Sequence, residues 1–150
     1  MRLKSLAVTA LVTLFFSASS SAQFEEFKDY ELNQEVVSMT TVKVNAGKGE
    51  DYLEGLVQTW VASNQVAKDM GKIKDFNIYV SRLPESGDFN VVLLVTLESM
   101  GDYVWTKKEN DLFRKKWGER KFSASRETAK TYPELRTIIG EYLLSRVDLK

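Results

Sequence analysis

The sequence of 150 residues contains neither histidine nor cysteine. Without histidine, the chain cannot form a Ser-His-Asp or Cys-His nucleophile system, and it cannot bind haem or zinc through imidazole. Without cysteine, no disulfide can stabilise the fold. Acid–base chemistry is left to carboxylate, tyrosine, lysine and arginine side chains. We therefore expect no metal site, no cofactor and no assignable catalytic residue, and we lean towards a protein that is not an enzyme.

The sequence also lacks a marked excess of positive or of negative charge. The sequence has 21 basic and 21 acidic residues, and residues 23–150 alone carry 19 basic and 21 acidic residues, a net charge of −2. A nucleic-acid-binding domain would show a marked basic excess. We therefore expect no nucleic-acid partner.

The first 22 residues have the pattern of a secretory signal peptide. Arg2 and Lys4 form a basic start, Leu6–Phe16 is an apolar run, and Ser20 and Ala22 are the small residues before a cleavage site. The apolar run is too short for a stable membrane span. We expect cleavage after Ala22 and a secreted or periplasmic protein, with an uncleaved anchor as the alternative.

Residues 23–34 are acidic, with aromatic side chains at positions 24, 27 and 30. No helix cap and no sustained period supports a regular element here. We interpret this stretch as an N-terminal arm or linker, and the alternative is an arm whose aromatic side chains dock on the domain or its partner. Residues 35–150 are long enough for one domain.

The hydrophobic pattern of residues 35–150 predicts alternating strands and helices. The predicted elements are a strand over 35–44, a helix over 50–70, a β-hairpin over 74–99, a helix starting near 100, a short helix over 123–132, and a strand over 136–148. This β-α-β-β-α-β order predicts an α+β, ferredoxin-like fold, a four-stranded antiparallel sheet with helices on one face.

Local signals support these boundaries. Ser99 and Asp102 have the spacing of a capping box at a helix start. Gly118 indicates a break, and Pro133 should end the short helix, since the residue before proline disfavours the helical region. Gly140 within the last strand suggests a bulge.

The hairpin over 74–99 alternates in polarity, so its two faces differ. One face is apolar and should pack against the helices, where it would bound any pocket: Phe76, Ile78, Val80, Val91, Leu93 and Val95. The other face is mixed and still holds aliphatic side chains that need cover. We predict it to be the surface of a homodimer: Asn77, Tyr79, Ser81, Val92, Leu94 and Thr96.

Two segments carry a resemblance to a known superfamily. They are VVSMTTVKVNAGKGEDYLEGL (36–56) and IKDFNIYVSRLPESGDFNVVLLVTLESMGDY (73–103). They resemble the dimeric α/β-barrel proteins, within which they are similar to the antibiotic-biosynthesis-monooxygenase and NIPSNAP-like groups. The resemblance implies a homodimer whose sheets face each other as a barrel, with a possible small-molecule pocket between sheet and helices.

Some branches of this superfamily depend on a histidine, which this chain lacks. The cofactor-independent monooxygenases use aromatic, Asn and Trp groups around a phenolic substrate, and the resemblance therefore implies a pocket near Trp60, Asn64, Trp105 and Trp117. Large aromatic side chains in a small domain also fill cores, and that is the alternative.

A basic stretch lies in the second half of the chain: Lys107, Lys108, Arg114, Lys115, Lys116, Arg120 and Lys121. It is either a solvated helix face or a surface for an acidic partner.

Three functions remain open from the sequence. The first is an exported homodimer that binds a small apolar or aromatic ligand without catalysis, or a stress-associated domain. The second is a cofactor-independent monooxygenase acting on a phenol or quinol. The third is an interaction protein using the basic surface.

Overall fold

The structure is a computed structural model that describes residues 23–150, so the predicted signal peptide over 1–22 lies outside the described residues. Its strands are β1 (Tyr30–Val44), β2 (Asp75–Val80), β3 (Val91–Leu97) and β4 (Arg136–Leu149). Its helices are α1 (Gly49–Leu56), α2 (Ala62–Asp69), α3 (Lys107–Trp117), α4 (Glu119–Ala129) and α5 (Tyr132–Leu135). A π-helical turn (Val57–Val61) joins α1 to α2, and a 3₁₀ turn (Met100–Tyr103) follows β3.

The four strands form one sheet in the order β2-β3-β1-β4, with every neighbouring pair antiparallel. With the helices inserted between β1 and β2 and between β3 and β4, this is the ferredoxin-like α+β plan. The predicted fold class is confirmed.

The helices cover one face of the sheet through two clusters of buried side chains. The first cluster joins strand and helix residues: Val42, Val44, Tyr52, Leu56, Val91, Leu93 and Tyr132. The second lies nearer the other end of the strands: Val36, Ala67, Ile73 and Leu97. The register pairs Val36 with Leu97 and Val42 with Val91, which places both clusters on the same face, called here the helix face.

The hairpin of β2 and β3 has the predicted faces, with one exception. Phe76, Ile78 and Val95 pack against the two clusters, as expected for the helix face. Val80 was predicted to meet the helices, but its side chain is 53% exposed. It ends β2, which is an edge strand, and it lines an open cavity together with Gly49 at the start of α1.

β1 begins at Tyr30, five residues before the predicted strand start. Residues 30–32 pair with the end of β4, Tyr30 opposite Leu149 and Leu32 opposite Val147. Part of the predicted arm is therefore strand, because a partner more than 100 residues away supplies its hydrogen bonds. Before it, Phe24 stacks on Tyr30 with ring centroids 5.2 Å apart.

The helix predicted over 50–70 contains a π-helical turn. Gly55 lies against Tyr132, and the Tyr132 hydroxyl hydrogen-bonds to the Thr59 hydroxyl. The Thr59 hydroxyl also donates to the carbonyl of Gly55 at 2.9 Å. π-helical turns of this kind occur as single-turn bulges within α-helices.

The predicted start of a helix near Met100 is wrong, because α3 begins only at Lys107. The Ser99 and Asp102 capping box is present, as predicted, but it caps only the 3₁₀ turn. Val104 then adopts extended backbone, and a second capping box formed by Thr106 and Glu109 starts α3.

The structure also shows the outcome of the boundary signals at Gly118, Pro133 and Gly140. Gly118, at φ +86°, separates α3 from α4 as predicted. α4 ends at Ala129, before Pro133 as predicted, but Tyr132 starts α5, and Pro133 lies in its first turn, where its missing N–H costs nothing. The register shifts opposite Gly140, as the predicted bulge requires.

Candidate functional site

Two adjoining cavities form a groove on the helix face, between α2, the 3₁₀ turn and β4. Their volumes are about 180 and 310 Å³, and both are lined by Ser38 and Tyr103. The first also reaches Asn64 and Trp105 over an apolar floor, and the second reaches Glu141. Concave sites of this size, with a few polar groups over an apolar floor, are typical of small-molecule binding.

The π-helical turn fixes the Asn64 side chain. The carbonyl of Trp60 accepts from the Asn64 amide nitrogen at 2.8 Å and from the Ser63 hydroxyl at 2.9 Å. The amide oxygen of Asn64 makes no hydrogen bond to another residue within 23–150. Asn64 therefore offers the groove an acceptor.

The 3₁₀ turn positions the next two groups. Its capping box holds the Asp102 carboxylate, which accepts from the Ser99 backbone N–H at 3.1 Å and from the Ser99 hydroxyl at 2.8 Å. Tyr103 follows at once and remains half exposed. The short turn thus places one carboxylate and one phenol at the mouth of the groove.

Trp105 is held by aromatic and cationic contacts. Its ring meets Phe113 edge-on with centroids 5.3 Å apart, and the ammonium of Lys72 lies 5.6 Å from its centroid. Lys72 is buried and donates to the Val104 carbonyl and to Glu109, both at 3.0 Å. Trp105 is therefore a rigid wall of the groove.

The same contacts perturb Glu109. The backbone N–H and the hydroxyl of Thr106, followed by Lys72, lower the pKa of the Glu109 carboxyl to about 2. Glu109 is therefore ionised at neutral pH, and it balances the buried charge of Lys72.

The structure brings together only half of the predicted pocket. Asn64 and Trp105 line the groove, whereas Trp60 packs edge-on against Phe76 at 5.5 Å and lines neither cavity. Trp117 lies between Phe113 and Phe122. These two tryptophans take part in aromatic packing, and neither lines the two cavities of the groove.

Sequence analysis missed the other groove residues, which are Ser38, Asp102, Tyr103 and Glu141. The capping box was a usable signal for Asp102 and Tyr103, since it placed a turn directly after β3. Strand alternation was the signal for Glu141, which pairs with Thr40 on the helix face.

The opposite face of the sheet, on which no helix of residues 23–150 packs, has a broad apolar surface and is called here the open face. Five residues of the predicted dimer surface lie on it by register: Asn77, Tyr79, Val92, Leu94 and Thr96. Ser81 lies just past β2, and its hydroxyl accepts from the backbone N–H of Leu83, so it belongs to the turn.

β1 and β4 extend the open face with residues that sequence analysis did not name. The register adds Val37 and Met39 from β1 and Tyr142 and Leu144 from β4. Tyr142 is 48% exposed and Leu144 is 43% exposed. β4 is also uncovered on the helix face, where Leu143 is 40% exposed. A contiguous exposed apolar surface of this extent is typical of an interaction site.

The basic surface lies on α3 and α4 and is partly neutralised. Lys107 pairs with Asp111 at 2.5 Å, and Arg114 pairs with Glu119 at 3.0 Å. The others have no acidic partner within 4 Å among residues 23–150: Lys108, Lys115, Lys116, Arg120 and Lys121. All seven side chains are exposed.

A further cavity of about 230 Å³ lies between the β1–α1 loop and the loop of the hairpin. Asn90 is a polar side chain in its lining, and both ends of its amide are used. The oxygen accepts from the backbone N–H of Val44 at 2.7 Å, and the nitrogen donates to the Val44 carbonyl at 2.9 Å. Asn90 thus joins the loop to β1, so this cavity is the weaker candidate.

Within the described residues, no group of three or more Asp and Glu side chains is placed to hold a metal ion. In the same part of the chain, none of the helices has both the length and the apolar character to cross a bilayer.

Comparison with models of protein families gives no match, and comparison with curated proteins gives none. Among solved structures, the chain is similar to HapK from Hahella chejuensis, with 10% identity and a TM-score of 0.44 over 74% of this chain and 91% of that one. A dimeric protein of unknown function and ferredoxin-like fold from Bacteroides fragilis gives 9% identity and a TM-score of 0.41, over 79% and 99% of the two chains. Protein SO0527 from Shewanella oneidensis gives 15% identity and a TM-score of 0.40, over 80% and 99%. These similarities are low, so the fold assignment rests on the strand order of this chain.

Proposed function

We propose that this protein is an exported homodimer of α/β-barrel type that binds a small apolar or aromatic ligand without catalysis. The groove is the observation that carries the binding function, because Asn64 and Trp105 meet there over an apolar floor. The half-exposed ring of Tyr103 adds a second flat surface. Flat rings and a single fixed acceptor suit an aromatic ligand.

The open face supports the homodimer. It presents Tyr79, Tyr142 and Leu144 to solvent beside the half-buried Leu94. Packing this face against that of a second copy would cover the apolar surface symmetrically, and a two-fold interface uses the same surface on both subunits. Stable interfaces bury about 800 Å² per partner, which a four-stranded face can supply.

The dimer is tested by sedimentation equilibrium at micromolar concentration. We expect two chains per particle for residues 23–150 and one chain for Leu94→Lys. Leu83→Lys is the matched control, because Leu83 is 70% exposed in the hairpin turn and should leave the dimer intact. A monomeric parent protein would overturn the dimer proposal.

Ligand binding is tested by isothermal titration with p-cresol, a small neutral phenol. We expect binding that Tyr103→Ala weakens, while Tyr79→Ala, on the open face, leaves it unchanged. If neither p-cresol nor any related aromatic probe binds, the binding function is wrong.

Export is proposed from residues 1–22. When the full chain is expressed in a Gram-negative host, N-terminal sequencing of the periplasmic fraction should begin at Gln23. Protein that retains Met1 in the cytoplasm would contradict export.

Membership of the monooxygenase or NIPSNAP-like groups is the finer proposal. The meeting of Asn64 and Trp105 favours a cofactor-independent monooxygenase as the second candidate, since these residues could orient a phenolic substrate. Oxygen uptake with a quinol substrate tests it, and no uptake above that of the Asn64→Ala variant would exclude it.

The unpaired residues of the basic surface leave interaction with an acidic partner as a further proposal. A pull-down with Lys115→Glu/Lys116→Glu tests it. If this variant keeps every partner of the parent protein, the surface is only a solvated helix face.

A further inference from the structure

Three side-chain groups of the groove can only accept hydrogen bonds from a ligand, whereas the hydroxyls of Ser38 and Tyr103 can also donate. The Asn64 amide nitrogen is committed to Trp60, which leaves its oxygen for a ligand. Asp102 contributes a carboxylate to the first cavity, and Glu141 contributes another to the second. These three acceptors favour ligands that bring donors.

The charges around the groove also favour a ligand that carries donors and a positive charge. No Lys or Arg is among the residues lining the two cavities within the described chain. The nearest cation on its wall is Lys72, which contacts Trp105 and is matched by Glu109 at 3.0 Å. Glu141 forms no ion pair within residues 23–150, so its charge remains for a ligand.

Aromatic rings complete the arrangement. Trp105 and Tyr103 both line the first cavity, next to Asp102. A ligand ammonium is attracted to the faces of such rings and to carboxylates together. Ser38, shared by both cavities, can orient a hydroxyl between them.

Resting on the proposed ligand-binding function, we propose that the groove selects an aromatic amine, a planar ring that carries an ammonium group. The ring lies over the apolar floor beside Trp105, and the ammonium lies between the carboxylates of Asp102 and Glu141. A neutral phenol fills the same space without the charge contact, and an aromatic carboxylate is repelled.

Three probes that share one ring test this selection by titration calorimetry. They are tyramine, p-cresol and 4-hydroxyphenylacetate, which are cationic, neutral and anionic at pH 7. Half-exposed charge contacts are individually weak, so we expect tyramine to bind about fivefold more tightly than p-cresol. We expect 4-hydroxyphenylacetate to bind most weakly, and added salt to weaken tyramine but not p-cresol.

Glu141→Gln is the main variant, because Glu141 is exposed and supports no other described contact. It should at least halve the preference for tyramine over p-cresol and leave the affinity for p-cresol unchanged. Asp102→Asn should act in the same direction, although it also alters the capping box with Ser99. Glu54→Gln is the control, since it removes an exposed carboxylate on α1 outside the groove.

The outcomes separate the two proposals. If p-cresol binds as tightly as tyramine, or if Glu141→Gln leaves the preference unchanged, the selection for an amine is wrong and the binding function stands. If none of the three probes binds, both are wrong.

Discussion

The hydrogen bond between Tyr132 and Thr59 can be tested by a double-mutant cycle in the free energy of unfolding. Both side chains are buried, at 7% and 6% exposure, and they lie 73 residues apart in the sequence. The Thr59 hydroxyl donates its proton to the Gly55 carbonyl, so the Tyr132 hydroxyl is the donor between them. This bond fastens the π-helical turn to α5.

The two single substitutions should lower the free energy of unfolding by different amounts. Tyr132→Phe removes the donor and leaves the Thr59 hydroxyl with its bond to Gly55, so we expect a loss of about 1 kcal/mol. Thr59→Val leaves the Tyr132 hydroxyl buried without its acceptor, and we expect a loss of about 2 kcal/mol. At roughly 4 °C per kcal/mol for a domain of this size, the melting temperature should fall by about 4 and 8 °C.

The double variant Thr59→Val/Tyr132→Phe should cost less than the sum of the single ones, by about 1 kcal/mol, because the unpaired hydroxyl is gone. Urea unfolding of residues 23–150 measures the free energy of unfolding of the parent protein, the two single variants and the double variant. Tyr103→Phe is the control, as Tyr103 is half exposed, lies outside the open face and should change stability little. Additive single effects would show that the two hydroxyls do not interact, and that this bond does not fasten the π-helical turn to α5.

Three other variants test the packing of the helices by thermal unfolding. Gly55→Ala should lower stability by about 1–3 kcal/mol, because the alanine Cβ would lie 3.0 Å from the Tyr132 ring, and this crowding outweighs the preference of alanine for helices. A stabilised variant would contradict this contact. Gly118→Ala should cost about 1–3 kcal/mol through backbone strain at φ +86° alone, and an unchanged midpoint would refute it. Thr106, followed by Lys72, lowers the folded-state pKa of Glu109, so the stabilisation from these contacts is present above pH 4.5 and is lost as the pH falls towards about 2. Glu109→Gln should therefore reduce the loss of stability over that range, and an unaltered pH profile would show that these contacts do not stabilise the fold.

Residues whose partners are close in sequence were predictable. The alternation of Phe76 and Ile78 gave the helix face of β2, and the spacing of Ser99 and Asp102 gave a cap. The order of elements then led to the fold class, because few topologies accommodate β-α-β-β-α-β. Asn64 and Trp105, two residues of the predicted pocket, line one cavity, and their binding of a ligand stays a prediction.

Features that depend on distant contacts were not predictable. The π-helical turn lies where Tyr132 meets Gly55 and Thr59, and nothing within α1 indicates that meeting. The early start of β1 depends in the same way on Val147 and Leu149. The contact of Trp60 with Phe76 was not predictable either, because periodicity gives the face of a helix but not which neighbour fills the space beside it.

The pairing of β1 with β4 has a consequence for the timing of folding. β1 is an inner strand, and its long partner comes from residues 136–149. Contacts between such distant segments form slowly, and none of them can form during synthesis until β4 has left the ribosome. The sheet therefore stays incomplete until residues 136–149 have been synthesised. If residues 1–22 direct export, they leave the ribosome long before β4, so a translocation channel can first meet the chain while its sheet is still incomplete.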